Sequence, residues 1–129
     1  MRQRYKITDV ERSAVLKEMR DVMIEQAKLR QTITYGDLAL RLSVYLAPRS
    51  FVFSQLLREI GREEDAAGRG SLPAVVVRKS TGIPGGGYFR GVGGVGGVGE
   101  AGREVSEEQM EAIWRADLEF VFDYWQNQT

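Results

Sequence analysis

Residues 49–61 read RSFVFSQLLREIG, and the phase of that stretch decides how the chain folds. Phe53, Leu56, Leu57 and Ile60 stand at i, i+3, i+4 and i+7, which places them on one face of a helix turning about 100° per residue. Ser50 precedes them as an N-cap, so a helix is expected from Phe51 to about Ile60. Phe51, Gln55, Arg58 and Arg62 then fall together on the opposite side. That outward stripe holds two arginines, an amide and an aromatic ring. Two readings of it are open. Either it is the third helix of a helix-turn-helix, presented to a DNA groove, or the arginines are merely solvated and Phe51 is tucked under a neighbouring loop.

Upstream, Thr8 with Glu11 three residues later forms a capping-box signature opening a helix that runs to about Lys28. Leu16, Met19, Met23 and Ala27 recur on one side of it, a stripe read as core rather than as a cofactor box. Thr32, Ile33 and Thr34 suggest a short extended link, after which Thr34 and Asp37 can cap a helix from Tyr35 to about Leu42. In the loop that follows, Pro48 pushes Ala47 away from helical geometry.

Downstream, Gly61 to Ser71 reads as a charged, glycine-punctuated loop or a frayed helix end. Glu63, Glu64 and Asp65 are adjacent acids, expected to face water rather than to hold a divalent cation. Pro73 leads into the apolar run Ala74 to Val77, suited to a buried strand. Arg78 and Lys79 end that run, and STGIPGGG at 80–87 is turn chemistry. Tyr88 and Phe89 then read as a returning strand, giving a hairpin or wing that presents Arg78, Lys79 and Arg90 near the third helix.

Residues 91–99 read GVGGVGGVG, and the spacing G-x-G-x-x-G occurs within them. The run neither opens an apparent helix nor sits in a βαβ pattern, so a dinucleotide site is rejected in favour of a glycine-rich linker over 91–105. Ser106 and Gln109 form a last capping box. Met110, Ile113, Trp114, Leu118, Val121, Phe122 and Trp125 make an aromatic-rich stripe on a helix over 107–126. It is expected to pack back across the first helix, with part of it a second candidate surface for a homodimer or protein partner.

With 129 residues, 43% hydrophobic and 28% charged, the chain is the size and composition of one globular domain. No apolar run reaches the roughly 18 to 20 residues of a membrane span, and the polar start MRQRYKITDVER carries no signal-like apolar region. A cytoplasmic protein without membrane contact is the expectation. There is no cysteine and no histidine, which removes thiolate nucleophiles, the usual neutral-pH acid/base and the commonest zinc ligand. Neither a metal nor a cofactor is expected. The net charge of +0 conceals a gradient: residues 1–27 carry +1, residues 28–90 carry +5 with ten basic and five acidic side chains, and residues 91–129 carry −6. A basic middle is the footprint expected of a polyanion site, although small domains also reach such imbalance by chance.

Residues 32–89 resemble the C-terminal DNA-binding domain of alkylguanine-DNA alkyltransferases and their non-enzymatic alkyltransferase-like relatives. The resemblance lies in the Thr-Tyr-Gly helix start at 34–36, the arginine-bearing helix, the proline-led strand and the Gly-Gly-Tyr at 86–88. It implies that Tyr35 stands near a target phosphate and that Arg58 is a recognition-helix arginine. Phe51 falls where the family has an arginine finger, with Arg49 the nearest basic substitute; an apolar side chain can also wedge between bases. The family's strand begins Pro-Cys-His-Arg-Val, whereas Pro73, Ala74, Val75, Val76 and Val77 stand here. Ile60 replaces an expected asparagine, and the loop from Arg58 to Pro73 is longer. Alkyl transfer needs an activated thiolate, so that chemistry is excluded. The stretch VVVRKSTGIPGGGY is also similar to small uncharacterised bacterial proteins, which carry no activity over.

The expected architecture is mainly α with a small β-hairpin (α+β): a winged-helix-like helix-turn-helix with flanking N- and C-terminal helices in a single domain over 1–129. Its parts are an N-terminal helix over 1–28, a winged-helix-like core over 32–90, the linker, and a C-terminal helix over 106–126. The expected function is non-catalytic DNA binding, to duplex in the first instance. Phe51, Gln55 and Arg58 approach base edges, while Tyr35, Ser50, Arg62, Lys79 and Arg90 meet phosphates, and Arg49 and Arg78 complete the nucleic-acid-binding set. The competing expectation is a protein-interaction or regulatory module that keeps the fold without nucleic acid. An enzyme would need Glu63, Glu64 or Asp65 to converge with another acid in a cleft.

Overall fold

A computed structural model of the chain describes residues 5–86, 88 and 106–128. The anticipated linker over 91–105 lies outside them, as do Phe89 and Arg90. Among the described residues the fold is carried by the helices α1 (Asp9–Lys28), α2 (Tyr35–Leu40), α3 (Phe51–Ala66) and α4 (Glu107–Gln126). Two two-residue strands, β1 (Ile33–Thr34) and β2 (Val76–Val77), pair in parallel with Ile33 opposite Val76 and Thr34 opposite Val77. The protein is mainly helical with a small parallel sheet. Among the described residues no helix is long and apolar enough to cross a membrane.

The helix starts follow from their caps. Thr8 Oγ1 accepts from the Glu11 amide at 3.1 Å while Glu11 Oε1 accepts from the Thr8 amide at 3.0 Å. Ser106 and Gln109 repeat the reciprocal pair at α4. Thr34 and Ser50 cap α2 and α3 by accepting from Asp37 N and Phe53 N. The ends are set by left-handed residues. At α3, Gly68 (φ 77°) allows the Arg69 amide to reach Glu64 O at 3.0 Å and the Gly68 amide to reach Asp65 O at 3.0 Å. At α1 the same closure uses Arg30 at φ 54°, a conformation costly for any side chain but glycine. Its guanidinium is held against α4 by Glu119 and by Asp123 at 2.9 Å, and lies 5.2 Å from the Phe122 ring centroid.

One hydrophobic cluster joins all of these elements. It draws Val15, Met19 and Met23 from α1, Phe53, Leu56 and Ile60 from α3, and Trp114, Leu118 and Val121 from α4. Between the helices runs a wholly buried segment, Ser71–Val77, whose first part, Leu72–Val75, is a 3-10 turn begun by Pro73. Gly70 admits it: a Cβ there would lie 2.6 Å from Phe120 Cδ1, and its φ is +90°.

Five expectations are corrected. The pairing is not a hairpin, because β2 lies parallel to β1 and the chain after it turns at Arg78–Ile83 instead of pairing back. Pro84 has no amide hydrogen to donate to a ladder, and Tyr88 is helical. The third helix extends six residues beyond Ile60, to Ala66. That extension is favoured because Glu64 does not face water: it is 1% exposed and accepts two bonds from Arg69, at 2.9 and 2.8 Å. The buried face of α1 is Val15, Met19, Val22, Met23 and Ala27, with Leu16 half-buried at its edge. The second helix stops at Leu40.

Phe51 is 70% exposed and Phe53 is fully buried, with its ring edge-on to Tyr35 at 6.4 Å. Replacing Phe53 with alanine is therefore expected to cost about 4 kcal/mol of unfolding free energy in urea titrations. Phe51→Ala should change it by no more than about 0.5 kcal/mol; the reverse ranking would mean that the helix is phased the other way.

Candidate nucleic-acid interface

A cavity of about 980 Å³ opens between α2, α3 and the turn after β2. Tyr35, Asp37 and Leu40 come to it from α2, Arg49 from the residue before the α3 cap, and Ser54 and Arg58 from α3 itself. Pro73 lies on its floor, Arg78, Lys79 and Ser80 approach from the turn, and Tyr88 closes the wall. Parallel pairing of β1 with β2 is what brings Tyr35, which follows β1, beside Arg78, which follows β2. The Gly85 amide donates to Tyr35 Oη at 2.8 Å and fixes the turn over the opening.

Of the residues singled out from sequence, Tyr35, Arg49, Arg58, Arg78 and Lys79 converge on this cavity. Phe51, Gln55 and Arg62 are exposed on the outer side of α3 and do not line it. Arg58 belongs to both, one turn of helix before Arg62. Ser50 is corrected: it is 4% exposed, and its hydroxyl caps α3 by accepting from Phe53 N, so it does not face a ligand. Arg90 lies outside the described residues. Ala74 and Val75 are fully buried and neither lines the cavity, so the aliphatic run has become core.

Charge is distributed unequally between this face and the rest of the molecule. Arg12, Lys17, Arg20, Arg30, Arg41, Arg69 and Arg115 each make an ion pair with a carboxylate. Arg49, Arg58, Arg62, Arg78 and Lys79 make none among the described residues, and four of these five line the cavity. Asp37 is the one acid in the lining. Unneutralised cations around a concavity with low-dielectric walls reinforce one another's potential and attract anions.

Two tyrosines that line the cavity hold their protons unusually firmly. Burial raises the Tyr35 pKa, an effect opposed by the bond from Gly85 and by the positive charge of Arg78. Burial raises Tyr88 as well, and the adjacent Asp117 carboxylate adds to it. Tyr88 Oη donates to Asp117 Oδ2 on α4 at 2.6 Å, and burial lifts the Asp117 pKa above the ordinary carboxylate range. These links were missed from sequence, although one signal existed: Asp117 sits at i+3 from Trp114, an acid on the edge of an otherwise apolar stripe. The Trp114 indole N–H likewise needs a partner when buried, and finds Ala74 O at 2.8 Å.

Among the described residues no group of three or more carboxylates is arranged to hold a metal ion. Comparison with protein-family models, with curated proteins and with solved structures finds no match for the chain.

The tyrosines make stability depend on alkaline pH. An unfolded tyrosine loses its proton near pH 10 or so, whereas Tyr35 and Tyr88 keep theirs in the fold to higher pH. Above that value the native state binds more protons than the unfolded one, so stability is full below it and falls as pH rises through the window above. The urea midpoint should therefore drop between about pH 9 and pH 11, and less steeply in Tyr88→Phe. An identical drop in the variant would remove Tyr88 from the account.

Proposed function

We propose that this protein binds DNA without acting on it chemically, using the basic cavity rim and the outer stripe of α3 as one continuous surface. The observation that carries the reading is the gathering of Arg49, Arg58, Arg62, Arg78 and Lys79 on this face without carboxylate partners among the described residues, whereas of the described cations elsewhere only Lys6 and Lys28 are unpaired. A phosphate backbone supplies the missing counter-charge, and its released counterions favour binding. Arg49, Arg62, Arg78 and Lys79 are assigned to phosphates, with Tyr35 beside them. Gln55 and Arg58 project from α3 toward base edges. Phe51, exposed where an apolar side chain has no packing reason to be, is suited to insertion at a base step.

In this reading α2 and α3 act as the helix-turn-helix pair of an alkyltransferase-like winged-helix scaffold, with the Arg78–Ile83 turn in the place of a wing. The reactive position of that scaffold is Ala74, buried beneath Trp114, and no thiolate or imidazole stands elsewhere in the chain. The protein is accordingly read as not performing alkyl transfer.

Fluorescence anisotropy with a labelled duplex should show binding that weakens as salt rises from about 50 to 200 mM, with a log–log slope of roughly −3 to −5 for four to five phosphate contacts. Lys79→Ala should reduce that slope by about 1, and Arg58→Ala should weaken binding by about tenfold. Absence of salt-sensitive binding to duplex, alkylated duplex or single strands would falsify the proposal and leave the protein-interaction module in its place.

A further inference from the structure

Tyr88 faces two sites at once. Its ring lines the basic cavity, and its hydroxyl donates to Asp117, which does not line that cavity. Asp117 opens instead onto a second cleft of about 330 Å³, shared with Asp65, Ser71 and Phe120. Ser71 Oγ donates to the Asp65 carboxylate, 3.1 Å from each oxygen. A tyrosine 5% exposed is thus tied through its hydroxyl to the middle of α4.

The direction of the Tyr88 bond matters because of what precedes it. Residues 85–87 are three glycines, which offer no side chain to fix their course. Two directional contacts act on described residues of this stretch: the Gly85 N–H donates to Tyr35 Oη, and Tyr88 Oη donates to Asp117. Gly85 lies against one of the cavity's cations, Arg78. A Cβ at Gly85 would be 3.1 Å from Arg78 Nε and 3.3 Å from Arg78 Nη2, so the position of this segment determines where the guanidinium can lie. Apolar burial of the Tyr88 ring is non-directional and would tolerate sliding, whereas the hydroxyl bond specifies one placement.

We propose that Asp117 is a positioning residue of the basic cavity: through Tyr88, three residues after Gly85, it fixes Gly85 where that residue backs the Arg78 guanidinium. It thereby sets ligand affinity from a helix that contributes nothing to the lining. The proposal rests on the DNA-binding reading above. It also makes α4 part of the functional unit and not only a cover for α1. Half-buried, the carboxylate carries a desolvation cost that an apolar residue at 117 would avoid, and the Tyr88 bond is what offsets it.

The test uses the full chain and the same labelled duplex, comparing Tyr88→Phe, Asp117→Ala, Asp117→Asn and the Tyr88→Phe/Asp117→Ala double variant. Each of Tyr88→Phe and Asp117→Ala should weaken binding about fivefold, the double no more than either alone, because both remove one bond. Asp117→Asn, whose amide oxygen still accepts, should stay within about twofold of wild type. In an Arg78→Ala background, Asp117→Ala should have no further effect, since Arg78 is the group through which it acts. A purely structural role would instead weaken binding equally in both backgrounds. That result, additive losses in the double variant, or unchanged affinity in the singles would overturn the proposal while leaving DNA binding intact. A wild-type protein that binds no DNA overturns the functional reading itself, and this inference with it.

Discussion

Seven consecutive residues, Ser71 to Val77, are buried, and partners for their backbone polar groups are the constraint around which the rest is arranged. The Leu72 amide reaches back to Gly70 O and the Ala74 amide to Ser71 O, closing the 3-10 turn. Val76 and Val77 pair with β1. Ala74 O receives the indole N–H of Trp114 from α4. The segment therefore requires the extended link before α2 on one side and the C-terminal helix on the other. Because β1 and β2 are parallel, the residues that follow them leave the sheet in the same direction and together build the cavity.

Charge follows a related logic. Where helices cross, carboxylates and guanidinium groups are matched: Glu64 with Arg69, Glu63 with Arg20, and Glu119 and Asp123 with Arg30. The Arg30 contact even stabilises a left-handed residue that closes α1. Exposed pairs of this kind contribute little each, but they consume the acids nearest the basic residues of the frame. The cavity rim retains its cations with a single acid, Asp37, in the lining. A chain of zero formal net charge thus presents one basic face.

Much of the local structure was legible in the residues. The caps at Thr8, Thr34, Ser50 and Ser106 lie where serine or threonine precedes a periodic apolar run, and each accepts the amide expected of it. The outward stripe of α3 was legible for the same reason, since i, i+3, i+4 spacing is a purely local code. The strand pairing was not. Two valines can pair with whatever extended segment reaches them, and nothing within the run distinguishes a returning hairpin from a parallel partner more than 40 residues earlier. Glu64 was misread by the same limitation, because whether an acid on a helix is solvated or buried depends on where Arg69 and Arg20 are brought.

What the sequence by itself determined is where the helices start, the apolar face that Phe53, Leu56, Leu57 and Ile60 give α3, and the absence of thiol and imidazole chemistry. These depend on side-chain type and short-range spacing, which the chain carries everywhere along its length. What only the tertiary structure decided is that Arg49, Arg58, Arg78 and Lys79 share one cavity, that Ser50 does not, and that Tyr88 is tied to Asp117 on α4. Those outcomes depend on contacts between residues far apart in sequence, fixed when the buried segment finds its hydrogen-bond partners, and no local pattern encodes that match.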